Sequence, residues 1–192
     1  MFTELKRGIA FTGLMMVLVG FGYHGVVWAI GRVAFRSQAE GSLARRADGT
    51  VAGSRLIAQA FTRDEYFRPR PSAVDYNAAS AGGSNYGPAN PHHLEAVGER
   101  LADIEKRESV PAGQVPSEMV TTSGSGLDPH IPPAGAYIQA PRVACARGVD
   151  LARVRQLIAV HTEGPQFGFL GMPRVNVLEL NMALDDTLGM GK

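Results

Sequence analysis

Cysteine is nearly missing from this sequence, with Cys145 the single one among 192 residues. A lone thiol closes no disulfide within the chain and builds no cysteine-rich zinc site, so neither staple holds the fold. An excess of either charge is also missing: Lys+Arg 19 stand against Asp+Glu 18, a formal net charge of +1. A chain this close to neutral carries no electrostatic footprint for nucleic acid. No internal repeat is present, and the length suits one compact domain plus an extra element.

Charge is absent altogether from residues 8–30, GIAFTGLMMVLVGFGYHGVVWAI. As a helix this run is about 35 Å long, enough for a hydrocarbon core of about 30 Å. It is too long for the apolar part of a signal peptide, and no small-x-small cleavage site follows it. Lys6 and Arg7 border one end and Arg32 and Arg36 the other, while Tyr23 and Trp28 sit where amphipathic rings favour the membrane interface. The expected organisation is a tail over residues 1–7, an uncleaved transmembrane helix over 8–30, a polar tether over 31–50 and a soluble domain over 51–192. Arg32, Arg36, Arg45 and Arg46 outnumber Lys6 and Arg7, so charge bias leans towards a cytoplasmic soluble domain. At 100° per residue Gly13, Gly20, His24 and Gly31 share a sector of roughly 40°. Small residues let helices approach closely and a polar group in a bilayer wants a partner, so this face is expected to dock on partner helices.

Beyond the tether, SRLIAQAF from Ser54 has the composition of a buried strand. The stretch to residue 90 is rich in Pro, Gly, Ser and Asn yet carries Tyr66, Phe67, Tyr76 and Tyr86, which predicts ordered, packed loops. A helix is expected after Asn90 as cap and Pro91 at its first position, with Leu94, Val97, Leu101 and Ile104 as its apolar stripe. EMVTTS reads as a strand. Pro132-Pro133 opens a helix that Pro141 is expected to kink or end, and Asp150 caps another through Ile158. RVNVLELNMALD gives a last helix with Asn176, Glu179 and Ala183 on its polar side. Few strands and several helices make the fold α+β: one N-terminal transmembrane helix followed by a small soluble α+β domain.

The chemical candidates are sparse. SAGGSN offers Gly82, Gly83, Ser84 and Asn85 as an anion-binding nest before the helix at Asn90. It lacks the lysine of a P-loop and the spacing of a dinucleotide fingerprint. The bland reading is a turn, with Ser84 and Asn85 bonding backbone and capping that helix. SGSGLDPH brings Ser125, Asp128 and His130 close in sequence, the starting point for an alternative class: a membrane-tethered hydrolase using Ser125 with a distant histidine. The nucleophile-elbow pattern Gly-x-Ser-x-Gly is not met, because Gly124 and Gly126 flank Ser125 directly. Adjacent His92 and His93 diverge by about 100° on a helix and make a poor metal pair. Cys145 is expected to pack as a small buried residue, and no metal site is expected.

Three motifs then align with one family. YFRPRPSAVDYNAASAGGSNYGPANPHHL, TSGSGLDPHIPPAGAYIQAPRVACARG and GMPRVNVLELNMALD, behind a single N-terminal span, resemble the C-subunit family of the Kdp high-affinity potassium-transporting P-type ATPase. The resemblance runs from the span to about residue 186. It implies a non-catalytic accessory subunit in the bacterial inner membrane, single-pass, with its soluble domain outside the cytoplasm. The implied partners are a channel-like potassium-translocating subunit, a P-type ATPase subunit and a very small membrane subunit. Assembly and stability of that complex are the implied role, with a catalytic-chaperone effect that raises the affinity of the ATPase subunit for ATP. No cofactor of the chain's own is implied; ATP enters through the partner ATPase subunit. The family's nucleotide reading rests on an SGGS-type stretch, whereas here Ala81 stands between Ser80 and Gly82 and no glutamine closes the loop. Ser125, Asp128, Gln139 and Arg142 fall in the second motif and are expected to shape a structural or partner-contacting loop.

Overall fold

A computed structural model describes residues 2–189. Its contacts separate into two units, one up to Leu43 and one from Ala44 onward.

The first unit is helical. α1 (Phe2–Met15) runs into a π-helical segment (Met16–Tyr23) and on into α2 (His24–Ala34). Phe2–Ala34 is the one helix among the described residues long and apolar enough to cross a membrane, with mean hydropathy 1.7 and none of its apolar window buried. A helix apolar on every side needs an apolar surrounding on every side. Phe35 leaves helical geometry, and a single further turn, α3 (Arg36–Ala39), follows. Arg36 closes on Glu40 at 3.0 Å there.

The second unit is α+β. Strands β1 (Leu43–Arg45) and β2 (Val51–Ser54) form a two-stranded ribbon. Its turn is held by the Asp48 carboxylate, which accepts from the amide of Thr50 at 2.8 Å. The strand expected over SRLIAQAF does not form. Ser54 turns the chain instead, its hydroxyl accepting from the amide of Leu56 and its carbonyl from that of Ile57. Leu56 is then left 63% exposed, where a buried strand would have enclosed it. Residues 55–90 contain no helix or strand.

α4 (Pro91–Glu108) starts as its sequence predicts, with Asn90 accepting from the amide of His92 at 2.9 Å. Val97, Leu101 and Ile104 pack on the core, but Leu94, one turn from the helix start, stays exposed. EMVTTS is not a strand: Ser117–Met119 is a 3₁₀ turn, and Met119 and Val120 are buried consecutively rather than alternately. Strict alternation is what a half-buried strand needs.

α5 (Pro133–Arg147) does not end at Pro141, which is exposed, so the hydrogen bond it cannot make lies on the wet side. Ala136, Gln139, Ala140, Val143 and Ala144 form its buried face. Cys145 comes one residue after that face and is exposed, contrary to the expected packing role. Asp150 caps α6 (Leu151–Val160) by accepting from the amide of Ala152 at 2.9 Å. α7 (Val177–Leu188) takes Asn176 as its cap. That asparagine is only 5% exposed, so it lies inside rather than on a polar side.

Strand β5 (Arg174–Asn176) is the centre of an antiparallel sheet, flanked by β3 (His130–Ile131) and β4 (Thr162–Glu163). The registers are His130 to Asn176 and Thr162 to Val175. α5 packs on α4, α6 and β5, and α7 packs on α6 and β5. The core they share includes Phe67, Ile131, Val143, Val154, Ile158, Val175, Leu180 and Leu184. Phe67 comes from the loop region, so a segment without secondary structure is anchored at the middle of the domain.

Candidate functional site

That anchoring explains how the motif-bearing loops are held. Residues 65–68 form a strap without regular secondary structure whose backbone groups are paired by side chains of α5 and α7. Asn181 accepts from the Phe67 amide at 2.8 Å and donates to the Phe67 carbonyl at 2.9 Å. Gln139 does the same for Arg68, at 2.8 and 3.1 Å. Arg142 donates to the carbonyls of Asp64 and Tyr66, and Arg147 to that of Glu65. A buried backbone needs such partners, and here side chains replace a neighbouring strand. The guanidinium groups of Arg63 and Arg147 each lie 5.0 Å from the centroid of the Tyr66 ring, and its hydroxyl donates to Asp185.

Behind the strap lies Glu108, with a side chain that is fully buried. Arg142 Nε sits 3.0–3.1 Å from both of its carboxylate oxygens, and Arg107 Nε donates to it at 2.9 Å. Arg142 also donates to Gln139 at 2.9 Å, which joins the carboxylate to the strap clamp. Burying one carboxylate between two guanidinium groups keeps its charge compensated.

Arg70, just past the strap, meets Asp128 at 3.2 Å. The other Asp128 oxygen accepts from the His130 amide at 3.0 Å and lies 3.3 Å from its Nδ1. Burial pushes the Asp128 carboxyl up, but the His130 hydrogen bonds and the charges of His130 and Arg70 outweigh it and hold the group below its ordinary value. The three side chains line an open cleft of about 350 Å³ with Glu118, Met172 and Arg174. Tyr76 supports this corner by donating to the Arg70 carbonyl at 2.8 Å, and burial pushes its hydroxyl up.

The glycine loop packs on the second motif. The Gly82 amide donates to the Ser125 carbonyl at 2.8 Å. A Cβ on Gly83 would lie 3.1 Å from the Gly124 carbonyl oxygen, and one on Gly126, at φ +68, only 2.7 Å from the Gly82 carbonyl oxygen. The Ser84 hydroxyl accepts from Thr122 at 3.4 Å, and Asn85 adopts φ 55. The loop is thus zipped to residues 122–126 instead of capping α4, which Asn90 does alone. The Ser125 hydroxyl accepts from the Leu127 amide at 3.1 Å and lies 3.5 Å from that of Ser123; its hydrogen-bonded neighbours include no histidine. Among the described residues no cluster of three His, Cys, Asp or Glu side chains is placed to hold a metal.

In the span, Gly13 lies before the π-helical segment, Gly20 within it, and His24 and Gly31 beyond it. The wider turn alters the 100° step between Gly13 and the other three. His24 Nδ1 lies 2.8 Å from the Val19 carbonyl oxygen, five residues back, and donates to it in the Nδ1–H tautomer. One polar atom of the ring is therefore satisfied within its own helix.

A model of the family described as K+-transporting ATPase, c chain, matches residues 5–186. The chain belongs to the KdpC family. A Geobacter sulfurreducens protein called potassium-transporting ATPase KdpC subunit is 49% identical over 185 residues, covering 95% of this chain and 97% of its own length. A protein of the same name from Caulobacter sp. strain K31 is 48% identical over 187 residues, covering 96% and 94%. One from Xanthomonas campestris pv. campestris strain B100 is 46% identical over 181 residues, covering 94% and 86%. In this KdpC chain the motif residues Gln139 and Arg142 stand on α5, facing the strap, and Asp128 and Ser125 stand in the loop before β3. Arg70 and Asp128 are brought together; Arg142 is engaged elsewhere, with Glu108. Glu108 and Asn181 carry much of this architecture and went unremarked in the sequence. The signal for Glu108 was its spacing, four residues after Ile104 on the apolar stripe of α4.

Proposed function

We propose that this chain is a non-catalytic accessory subunit of a Kdp-type potassium-transporting ATPase, anchored by its N-terminal helix and acting through protein contact. Its partners are a channel-like potassium-translocating subunit, a P-type ATPase subunit and a very small membrane subunit. The compact unit lies outside the cytoplasm, and the span meets partner helices through its small residues Gly13, Gly20 and Gly31 and through His24, no longer on one strict face. Any gain in ATP affinity is transmitted through those contacts and not by nucleotide held on Gly82, Gly83, Ser84 and Asn85.

The observation that carries this reading is the glycine loop packed against residues 122–126. The Gly82 amide, which a phosphate nest would need, already donates to Ser125, and Gly83 packs closely on the Gly124 backbone, where a Cβ would lie 3.1 Å from the carbonyl oxygen. Family membership supplies the transport setting, and a helix long and apolar enough to span supplies the anchor.

Complexes purified with and without the chain test it. Loss of the chain is expected to lower the yield of intact complex and its potassium-stimulated ATP hydrolysis, while the isolated chain hydrolyses no ATP and binds none. Saturable ATP binding by the isolated chain, abolished by Gly83→Val in a variant that still assembles, would overturn it.

A further inference from the structure

The hairpin joining β4 to β5 contributes Met172 to the edge of the Arg70–Asp128 cleft, but its tip packs on none of the core described above. Residues 164–173, GPQFGFLGMP, contain no charged side chain. Phe167 is 87% exposed, Phe169 76%, Met172 80% and Leu170 48%. Four large apolar groups at one tip exceed the scattered exposure ordinary for a soluble surface.

The backbone of the tip is paired with itself. Gln166 and Leu170 exchange both hydrogen bonds, at 2.8 and 2.9 Å, and the amides of Gly168 and Phe169 donate to Pro165 and Gln166. Phe167, Gly168 and Gly171 take positive φ, which fixes a tight and self-contained turn. At its base Glu163 and Arg174 neutralise one another, with the two guanidinium nitrogens 2.9 and 3.0 Å from the same carboxylate oxygen. An apolar, uncharged tip with the amides of Gln166, Gly168, Phe169 and Leu170 paired internally suits the shallow, partly hydrated lipid interface, where charge is costly and unpaired backbone can still meet water.

A lipid surface is also within reach. Nine residues, 35–43, lie between Ala34, where the apolar helix ends, and Ala44, where the compact unit begins, a path of ten Cα steps. Ten such steps span at most about 36 Å even when fully extended. A unit of this size has a radius of gyration of about 15 Å, so such a tether lets any part of its surface reach the bilayer. Tethering turns a weak contact into an intramolecular one with a high effective concentration.

We propose that the hairpin tip, through Phe167, Phe169, Leu170 and Met172, inserts into the lipid interface beside the chain's own span. It forms a second, shallow membrane contact that restricts how the compact unit can tilt.

The full chain in vesicles of phosphatidylcholine and phosphatidylglycerol tests this. Trp28 is the only tryptophan, so a Trp28→Phe background carries one new reporter at Phe169→Trp, with Met172→Trp as a second and Val160→Trp as a control on exposed α6 surface. Brominated lipid is expected to quench both tip reporters at least twofold and to leave the control unchanged, with blue-shifted tip emission. Tip emission that remains water-like and unquenched in chains that float with the vesicles overturns the proposal while leaving the anchor intact. Shielding that arises only after the transport partners are added also overturns it, and assigns the tip to a protein pocket. Failure of the chain to float at all overturns the membrane anchor and the tip contact together.

Discussion

The side-chain amide of Gln139 forms a two-point pair with the backbone of Arg68, 71 residues away in sequence, accepting from its amide at 2.8 Å and donating to its carbonyl at 3.1 Å. Asn181 repeats this pairing one residue earlier, on Phe67. Removing either amide leaves a buried N–H and C=O without partners. Gln139→Leu and Asn181→Leu are each expected to cost about 2–4 kcal/mol, two buried groups at 1–3 each less the gain from apolar burial. Urea denaturation of the full chain in detergent, followed by circular dichroism, measures it.

Glu108 is the other hub. Glu108→Ala leaves the Arg142 guanidinium without its carboxylate, held only by the carbonyls of Asp64 and Tyr66 and by Gln139, and is expected to destabilise by about 3–5 kcal/mol. The double change Glu108→Leu with Arg142→Met removes both charges and is expected to recover part of that loss. A double-mutant cycle in the same denaturation assay reads the coupling.

The Asp128 carboxyl is held below its ordinary value, so the unfolded chain binds its proton more readily than the folded one. Its stabilising contribution is therefore complete above the unfolded value of about 3.9 and is lost as pH falls through the lower, folded value. Asp128→Asn is expected to be less stable at neutral pH and to show a flatter decline on acidification below about pH 4. Melting curves between neutral pH and pH 3 compare the two.

Glycine-to-alanine changes are expected to have opposite signs at two sites. Gly126, at φ +68 and facing the Gly82 carbonyl, is expected to lose on the order of 2 kcal/mol as alanine, from backbone strain and overlap together. Gly98 lies inside α4 with open space around it and is expected to gain about 1 kcal/mol from helix propensity. Thermal melts of the two variants check the pair.

Local signals in the sequence carried the helices. Asn90 with Pro91 and Asp150 mark their helix starts through contacts two residues long, which is the range a propensity argument covers. The strands failed for the same reason in reverse. SRLIAQAF and EMVTTS have strand composition, but the sheet's central strand, β5, is three residues long, and what organises the loops is side-chain clamping from α5 and α7. Those clamps join residues 71 and 114 apart, and nothing local in YFRPRP announces them. Of the site, Arg70 with Asp128 became a pair only once β3 and the strap were placed. The roles of Glu108 and Asn181 needed the three-dimensional packing altogether.

The exposed Cys145 thiol lies on the compact unit and is the only one in the chain, so it reports where that unit resides. Intact cells producing the complex are treated with a membrane-impermeant maleimide. Protein contact from outside the cytoplasm predicts labelling of wild-type chain before the cells are opened and none of Cys145→Ser. Protection that disappears only when the cells are opened would put the compact unit in the cytoplasm, contradict the account, and return the Gly82-Gly83 loop to contention as a nucleotide contact.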